Sequence, residues 1–145
     1  MDLTQQKGLS TELHCQLDLI NLGIQCLTPI TEDSRYDIVA EVNGKFIKIQ
    51  CKTASWSKKT AKDKVAFDIS TYRVTINTKK ATRHKYTSDE IDYFYTWFNG
   101  QGYLVSINEA KGLNFRFRYE YPSSNQHEGI HLAENYKIEE VLKAV

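Results

Sequence analysis

The chain has 145 residues, 41% of them hydrophobic and 26% charged, with a formal net charge of +1. That is the size and composition of one globular domain, taken here as residues 1–145, and no apolar run approaches the ~20 residues needed to span a bilayer. The three cysteines, Cys15, Cys26 and Cys51, show no CxxC spacing, and the start MDLTQQKG is too polar to read as a secretory signal. Disulfide framework, zinc site and membrane protein are thus disfavoured, and a cytoplasmic location is expected.

Residues 3–22 read as a helix. Its Leu9, Leu13, Leu17 and Ile20 fall at spacings of four and three and are expected to face the core. Gly23 closes it as a C-cap. IQCLTPI reads as a short strand, and a β-hairpin follows from Tyr36 to Thr53. TASWSKKTAKDK reads as a polar, basic loop. VAFDIS and YRVTIN read as strands, and TKKATRHKY as a second basic connection. TSDEIDYFYTWF is expected as a short helix, with Thr87 or Ser88 as N-cap and acids in its first turn. GYLVSI and NFRFRYEY read as strands, YPSSNQHEG as a loop, and LAENYKIEEVLKAV as a closing amphipathic helix. The order implies an α/β domain with a mixed β-sheet flanked by helices.

The small net charge hides an asymmetry. Residues 45–85 hold twelve Lys or Arg against only Asp63 and Asp68. A basic segment of this kind is the footprint of a nucleic-acid binder, although lysine-rich solvated loops produce it too.

The hairpin carries the sharpest signal. Asn43-Gly44 between two strand-like runs predicts a two-residue type I′ turn. That turn sets Val42 opposite Lys45, Val39 opposite Lys48 and Asp37 opposite Gln50. Asp37, Gln50 and Lys52 then leave one end of one face together. Ile38, Ala40, Val42, Ile47, Ile49 and Cys51 form the other, apolar face. A slip by one residue would mix the two faces, so the register is well specified. The residues themselves leave two readings of the polar end. One is a surface ion pair between Asp37 and Lys52, worth about 0–1 kcal/mol. The other is an oxygen-rich site for a hard cation, with the Cys51 carbonyl adding to Asp37 and the Gln50 amide, and a lysine beside it for water or phosphate.

Asp37 followed by Gln50-Cys51-Lys52 on the next strand resembles the PD-(D/E)XK nuclease superfamily. Together with DEIDYF, YLVSINEA and SSNQHEGIHLAENY, the stretch from Tyr36 to Thr53 is similar to a small branch of group I intron-encoded homing endonucleases whose tripeptide reads QxK. The likeness runs from Lys7 to Tyr136. It implies a restriction-endonuclease-like core and a site-specific, Mg²⁺-dependent DNA endonuclease cutting both strands, with Mn²⁺ able to substitute. A restriction, repair or Holliday-junction nuclease of the same fold is the alternative enzyme, and an inactive DNA-binding module the alternative class.

By that resemblance Asp37 binds the metal, with Gln50, the Cys51 carbonyl and Glu12 of the first helix as further ligands. Lys52 faces the attacking water and scissile phosphate. Gln50 stands where relatives of the fold carry an acid, and Tyr36 where they carry Pro. Asp92 either supports the site or lies on a helix surface. Double-stranded DNA is the expected partner, met by Arg35, Trp56, Lys58, Lys59 and Lys62 on one side of the basic segment. Lys79, Lys80 and Lys85 extend the contact, with Arg73 and Arg83 as candidate base readers. One cluster makes one cut at a time, so a homo-oligomer is expected, at least a dimer, with a tetramer as the larger alternative.

Overall fold

A computed structural model describes residues 1–145. Helix α1, Leu3–Asn21, starts at a capping box. Asp2 accepts from the Gln5 backbone N–H at 2.8 Å and the Gln5 side chain accepts from that of Asp2 at 3.1 Å, which satisfies two of the orphan donors at a helix start. Gly23, at φ +74°, turns the chain out of it. Strands follow as β1 (Gln25–Leu27), β2 (Ile38–Val42), β3 (Lys45–Cys51), β4 (Ser55–Trp56), β5 (Ala66–Ser70), β6 (Tyr72–Asn77), β7 (Lys80–Lys85), β8 (Tyr93–Phe98), β9 (Gln101–Ser106) and β10 (Asn114–Arg118). The chain closes with a 3₁₀ turn and the short helix α2, Ile138–Lys143.

The central sheet has the order β1-β2-β3-β8-β9. Only β3 and β8 run parallel; the other neighbours are antiparallel. One face packs under α1 and α2 through Cys15, Leu19, Ile38, Ile49, Tyr95 and Leu142. The other face meets a small sheet, β10-β5-β4, through Phe67, Phe94, Val105 and Phe117. Strand alternation makes this possible, since Phe94 and Tyr95 enter opposite cores. β6 and β7 form a two-stranded ribbon of their own.

The hairpin register is the expected one. Val42 pairs with Lys45, Val39 with Lys48 and Ile38 with Ile49. Asn43 and Gly44 both have positive φ, 52° and 79°, as a type I′ turn requires. Ile38, Ala40, Val42, Ile47 and Ile49 are all buried.

Three expectations are overturned. TSDEIDYFYTWF contains no helix: Thr87–Ile91 is a turn, and Tyr93–Phe98 is strand β8. Its aromatic run suits a strand buried on both faces, and pairing with β3 overrides the local helix-start signal. TKKATRHKY is mostly strand β7 rather than a loop. The leucine stripe of α1 faces away from the core: Leu9, Leu13, Leu17 and Ile20 are 44%, 54%, 51% and 61% exposed. The buried side of α1 is instead Thr11, Cys15 and Leu19. Small residues let that side approach the sheet closely. Asp18 on α1 accepts a hydrogen bond from the Tyr95 hydroxyl at 2.6 Å. A Cβ on Gly102 would sit 2.0 Å from that Asp18 carboxylate, so the seat of α1 depends on a glycine there.

Candidate active site

The open end of the hairpin gathers four half-buried polar residues: Glu12 from α1, Asp37 just before β2, and Gln50 and Lys52 at the end of β3. Asp37 is pinned from both sides. Its backbone N–H donates to the Ile49 carbonyl at 2.8 Å, and its carboxylate accepts from the Cys51 N–H, also at 2.8 Å. The backbone of Lys52 donates to the Tyr95 carbonyl at 2.8 Å, so the parallel neighbour β8 fixes where β3 ends.

Glu12 meets Asp37 across the gap between helix and sheet. Burial, then the charge of Asp37, then a hydrogen bond to it push the Glu12 carboxyl up to about 7. Burial also raises Asp37, against the Cys51 N–H, the Glu12 hydrogen bond and Lys52. Both carboxyls are thus harder to ionise than in water, as expected when two acids are buried side by side. Burial lowers the Lys52 amine, with Asp37 opposing. That amine donates to the Tyr72 carbonyl at 2.8 Å and lies 4.9 Å over the centre of the Tyr86 ring. Tyr86 is itself pushed up to about 12, chiefly by burial. Gln50 turns its amide nitrogen toward the Cys51 carbonyl at 3.3 Å.

A polar cavity of about 510 Å³ opens on the Glu12–Asp37 pair, lined also by Gln16, Glu32, Ser34 and Tyr36. No group of three or more His, Cys, Asp or Glu side chains converges to hold a metal. The donor set nonetheless fits Mg²⁺, which keeps several waters and binds through one or two carboxylates. Two carboxyls pressed together in a half-buried site, with a backbone carbonyl next to them, are relieved by a cation. Glu12, Asp37 and the Cys51 carbonyl are the groups available to hold it.

The DNA-contact candidates separate. Lys58, Lys59, Lys62, Lys79 and Lys80 are exposed. Arg35 pairs with Glu90 at 3.1 Å. Trp56 packs edge-on against Phe98, ring centroids 4.7 Å apart, and belongs to the aromatic core. On the ribbon, Arg83 lies over Tyr72 at 4.9 Å and Lys85 donates to the Lys111 carbonyl at 3.2 Å. Asp92 does not lie on a helix surface, since the residues before it form a turn. It accepts from the Lys48 N–H at 2.9 Å and ties β3 to the start of β8. Asn125, at φ 60°, closes a turn by donating its N–H to the Pro122 carbonyl at 3.3 Å, and Gln126 follows it in the loop. Tyr72 and Tyr86, the two residues that hold the Lys52 amine, were missed. Nothing in their local sequence marks them, because the contact closes only when the ribbon folds back on β3.

A family model described as PD-(D/E)XK endonuclease matches residues 2–139. The fold is similar to the solved structure of a bacterial homing endonuclease, I-Ssp6803I, with a TM-score of 0.76 and 18% identity, over 99% of this chain and 95% of that one. No curated protein matches by sequence.

Proposed function

The chain belongs to the PD-(D/E)XK endonuclease family, and from that premise we propose that it is a Mg²⁺-dependent, site-specific double-strand DNA endonuclease of the homing type. The observation that carries this reading is the Glu12–Asp37 carboxyl pair beside the depressed amine of Lys52. The QxK tripeptide and the likeness to a homing endonuclease fold support the homing assignment.

Asp37 and Glu12 would hold the cation, with the Cys51 carbonyl and the Gln50 amide oxygen as the further oxygens available to it. When bound, Mg²⁺ supplies Lewis-acid polarisation of the scissile phosphate. Mn²⁺, with the same taste for oxygen, substitutes. Lys52 takes up a proton at Nζ from the attacking water, a role that a half-buried amine with a lowered proton affinity suits. The Cys51 N–H keeps Asp37 aimed at the site. Gln50 contributes no charge, so the cation is held more weakly than by a third acid. Lys58, Lys59, Lys62 and Lys79 contact phosphates and make binding salt-dependent.

Two cuts need two such clusters, and we place the second on another copy of this chain. The outward face of α1 supports this, because Gln6, Leu9, Ser10, Leu13, Leu17 and Ile20 form an exposed, uncharged stripe. An exposed apolar stripe of this kind can be buried against its own copy across a two-fold axis. No helix is long and apolar enough to cross a membrane, and the three cysteines are free thiols.

The test is incubation with Mg²⁺ and duplex DNA from the chain's own coding locus, with and without an intervening intron. Cleavage of the uninterrupted DNA alone supports the homing reading. Binding without cleavage of either duplex contradicts it and assigns a DNA-binding module. Cleavage of branched junctions in preference to linear duplex assigns the junction nuclease.

A further inference from the structure

The ribbon β6–β7 has two unlike faces, and its register sorts them. Arg73 pairs with His84, Thr75 with Thr82 and Asn77 with Lys80, while Tyr72 pairs with Lys85, Val74 with Arg83 and Ile76 with Ala81. Opposed residues share a face and alternate along each strand. One face is therefore Arg73, Thr75, Asn77, Lys80, Thr82 and His84, every one a hydrogen-bonding side chain. The Thr75 hydroxyl lies 2.8 Å from His84 Nε2, as residues on one face must.

The opposite face is different in kind. Its cations are committed to the protein, Arg83 over the Tyr72 ring and Lys85 to the Lys111 carbonyl. Val74, opposite Arg83, and Ile76, nearer the tip, are 49% and 80% exposed. Arg73 and Arg83, alike in sequence, thus part company: one is on the polar face and the other is folded onto its own ribbon.

We propose that the polar face of this ribbon reads base edges in the major groove, with Arg73, Asn77 and His84 as the specificity-determining residues; the inference rests on the nuclease reading above. The dimensions fit. Six residues per strand extend the ribbon by roughly 20 Å, with the strands about 5 Å apart, and a major groove about 12 Å wide admits a two-stranded ribbon. The residue types fit as well. Arginine pairs with guanine O6 and N7, asparagine with adenine N6 and N7, and hydroxyls with either. Lys80, near the tip beside Asn77, adds a charge at the groove floor or wall. The root of the ribbon supplies the Tyr72 carbonyl that holds the Lys52 amine, so the reading element and the cutting lysine are joined through one residue.

The experiment is selection of bound duplexes from a library with a randomised centre, in EDTA so that no cutting occurs. Mg²⁺-dependent cleavage of duplex DNA from the chain's own coding locus is followed in parallel. Wild type enriches one motif. Arg73→Ala and Asn77→Ala each lose preference at particular base pairs within it and bind that motif about tenfold to a hundredfold more weakly, with binding to mixed-sequence DNA changed far less. Val74→Thr and Ile76→Thr, on the opposite exposed face, select the wild-type motif. An unchanged motif in both Arg73→Ala and Asn77→Ala, or a motif altered by Val74→Thr or Ile76→Thr, overturns the assignment. So does a wild type that enriches nothing. If wild type cuts that locus duplex in any of those cases the ribbon assignment alone has failed, and if it does not the nuclease reading has failed too.

Discussion

Replacing Glu12 by Gln isolates the strain of the carboxyl pair. In the unfolded chain Glu12 titrates at its ordinary value of 4.5, and in the fold at about 7. Below 4.5 it is neutral in both states, so wild type and Glu12→Gln should be equally stable there. Between those values the unfolded chain gives up its proton and the fold keeps it. Stability of the wild type is lost as pH rises through about 7, and the deficit is complete above it. A shift of that size is worth about 3 kcal/mol in a sealed site. Glu12 is only half-buried and solvent screens it, which leaves about 1–2 kcal/mol. Thermal unfolding in EDTA should therefore show Glu12→Gln melting about 2–8 °C above wild type at pH 8 and level with it at pH 4.5. Adding Mg²⁺ at pH 8 should raise the wild-type midpoint, by about 1.4 kcal/mol at ten times the dissociation constant, and move Glu12→Gln much less. A variant no more stable than wild type at pH 8, or a gap of equal size at both pH values, would refute a strained pair.

Gly102→Ala should cost about 1–3 kcal/mol in urea unfolding, because the new methyl meets Asp18 and the Tyr95 hydroxyl; an unchanged midpoint would mean that α1 is not seated as described. The double variant Leu13→Glu, Leu17→Glu should sediment as a folded monomer that nicks supercoiled DNA without linearising it, whereas wild type sediments as a dimer or larger. A monomeric wild type, or a variant of unchanged mass, speaks against pairing through α1. Tyr86→Leu should lower kcat about tenfold with little change in KM, while Tyr86→Phe, which keeps the ring beneath the Lys52 amine, stays near wild type. Equal losses in the two variants would remove the ring from the role of positioning Lys52.

The hairpin was legible because its information is local. Asn43-Gly44 sets the turn, and the run of Ile38, Ala40, Val42, Ile47 and Ile49 admits one register only. The parallel partner of β3 was not legible. Its first tie, the Lys48 N–H to Asp92, spans 44 residues, while Thr87 and the nearby acids gave a helix-start signal at close range. The orientation of α1 shows a different limit. Periodicity finds an apolar stripe but is silent on what covers it, and here the sheet takes the side with Thr11 and Cys15. Glu12 entered the site through the family resemblance alone, since nothing in KGLSTEL announces a partner 25 residues away. Its pairing with Asp37 is a fact of packing between helix and sheet. The two unlike faces of the ribbon became visible once TKKATRHKY proved to be a strand, because only a paired strand has faces.

The most direct measurement is the rate at which Mg²⁺ drives cutting of duplex DNA by wild type, Asp37→Asn and Lys52→Ala, with DNA binding followed alongside. Wild type should cut with Mg²⁺ and stop in EDTA, and both variants should bind DNA as wild type does while cutting at least a hundredfold more slowly, the scale expected when a charged group at the reacting centre is removed (about 10²–10³). Cutting that persists in EDTA, or that survives Lys52→Ala at the wild-type rate, would contradict a metal-assisted site built from Glu12, Asp37 and Lys52.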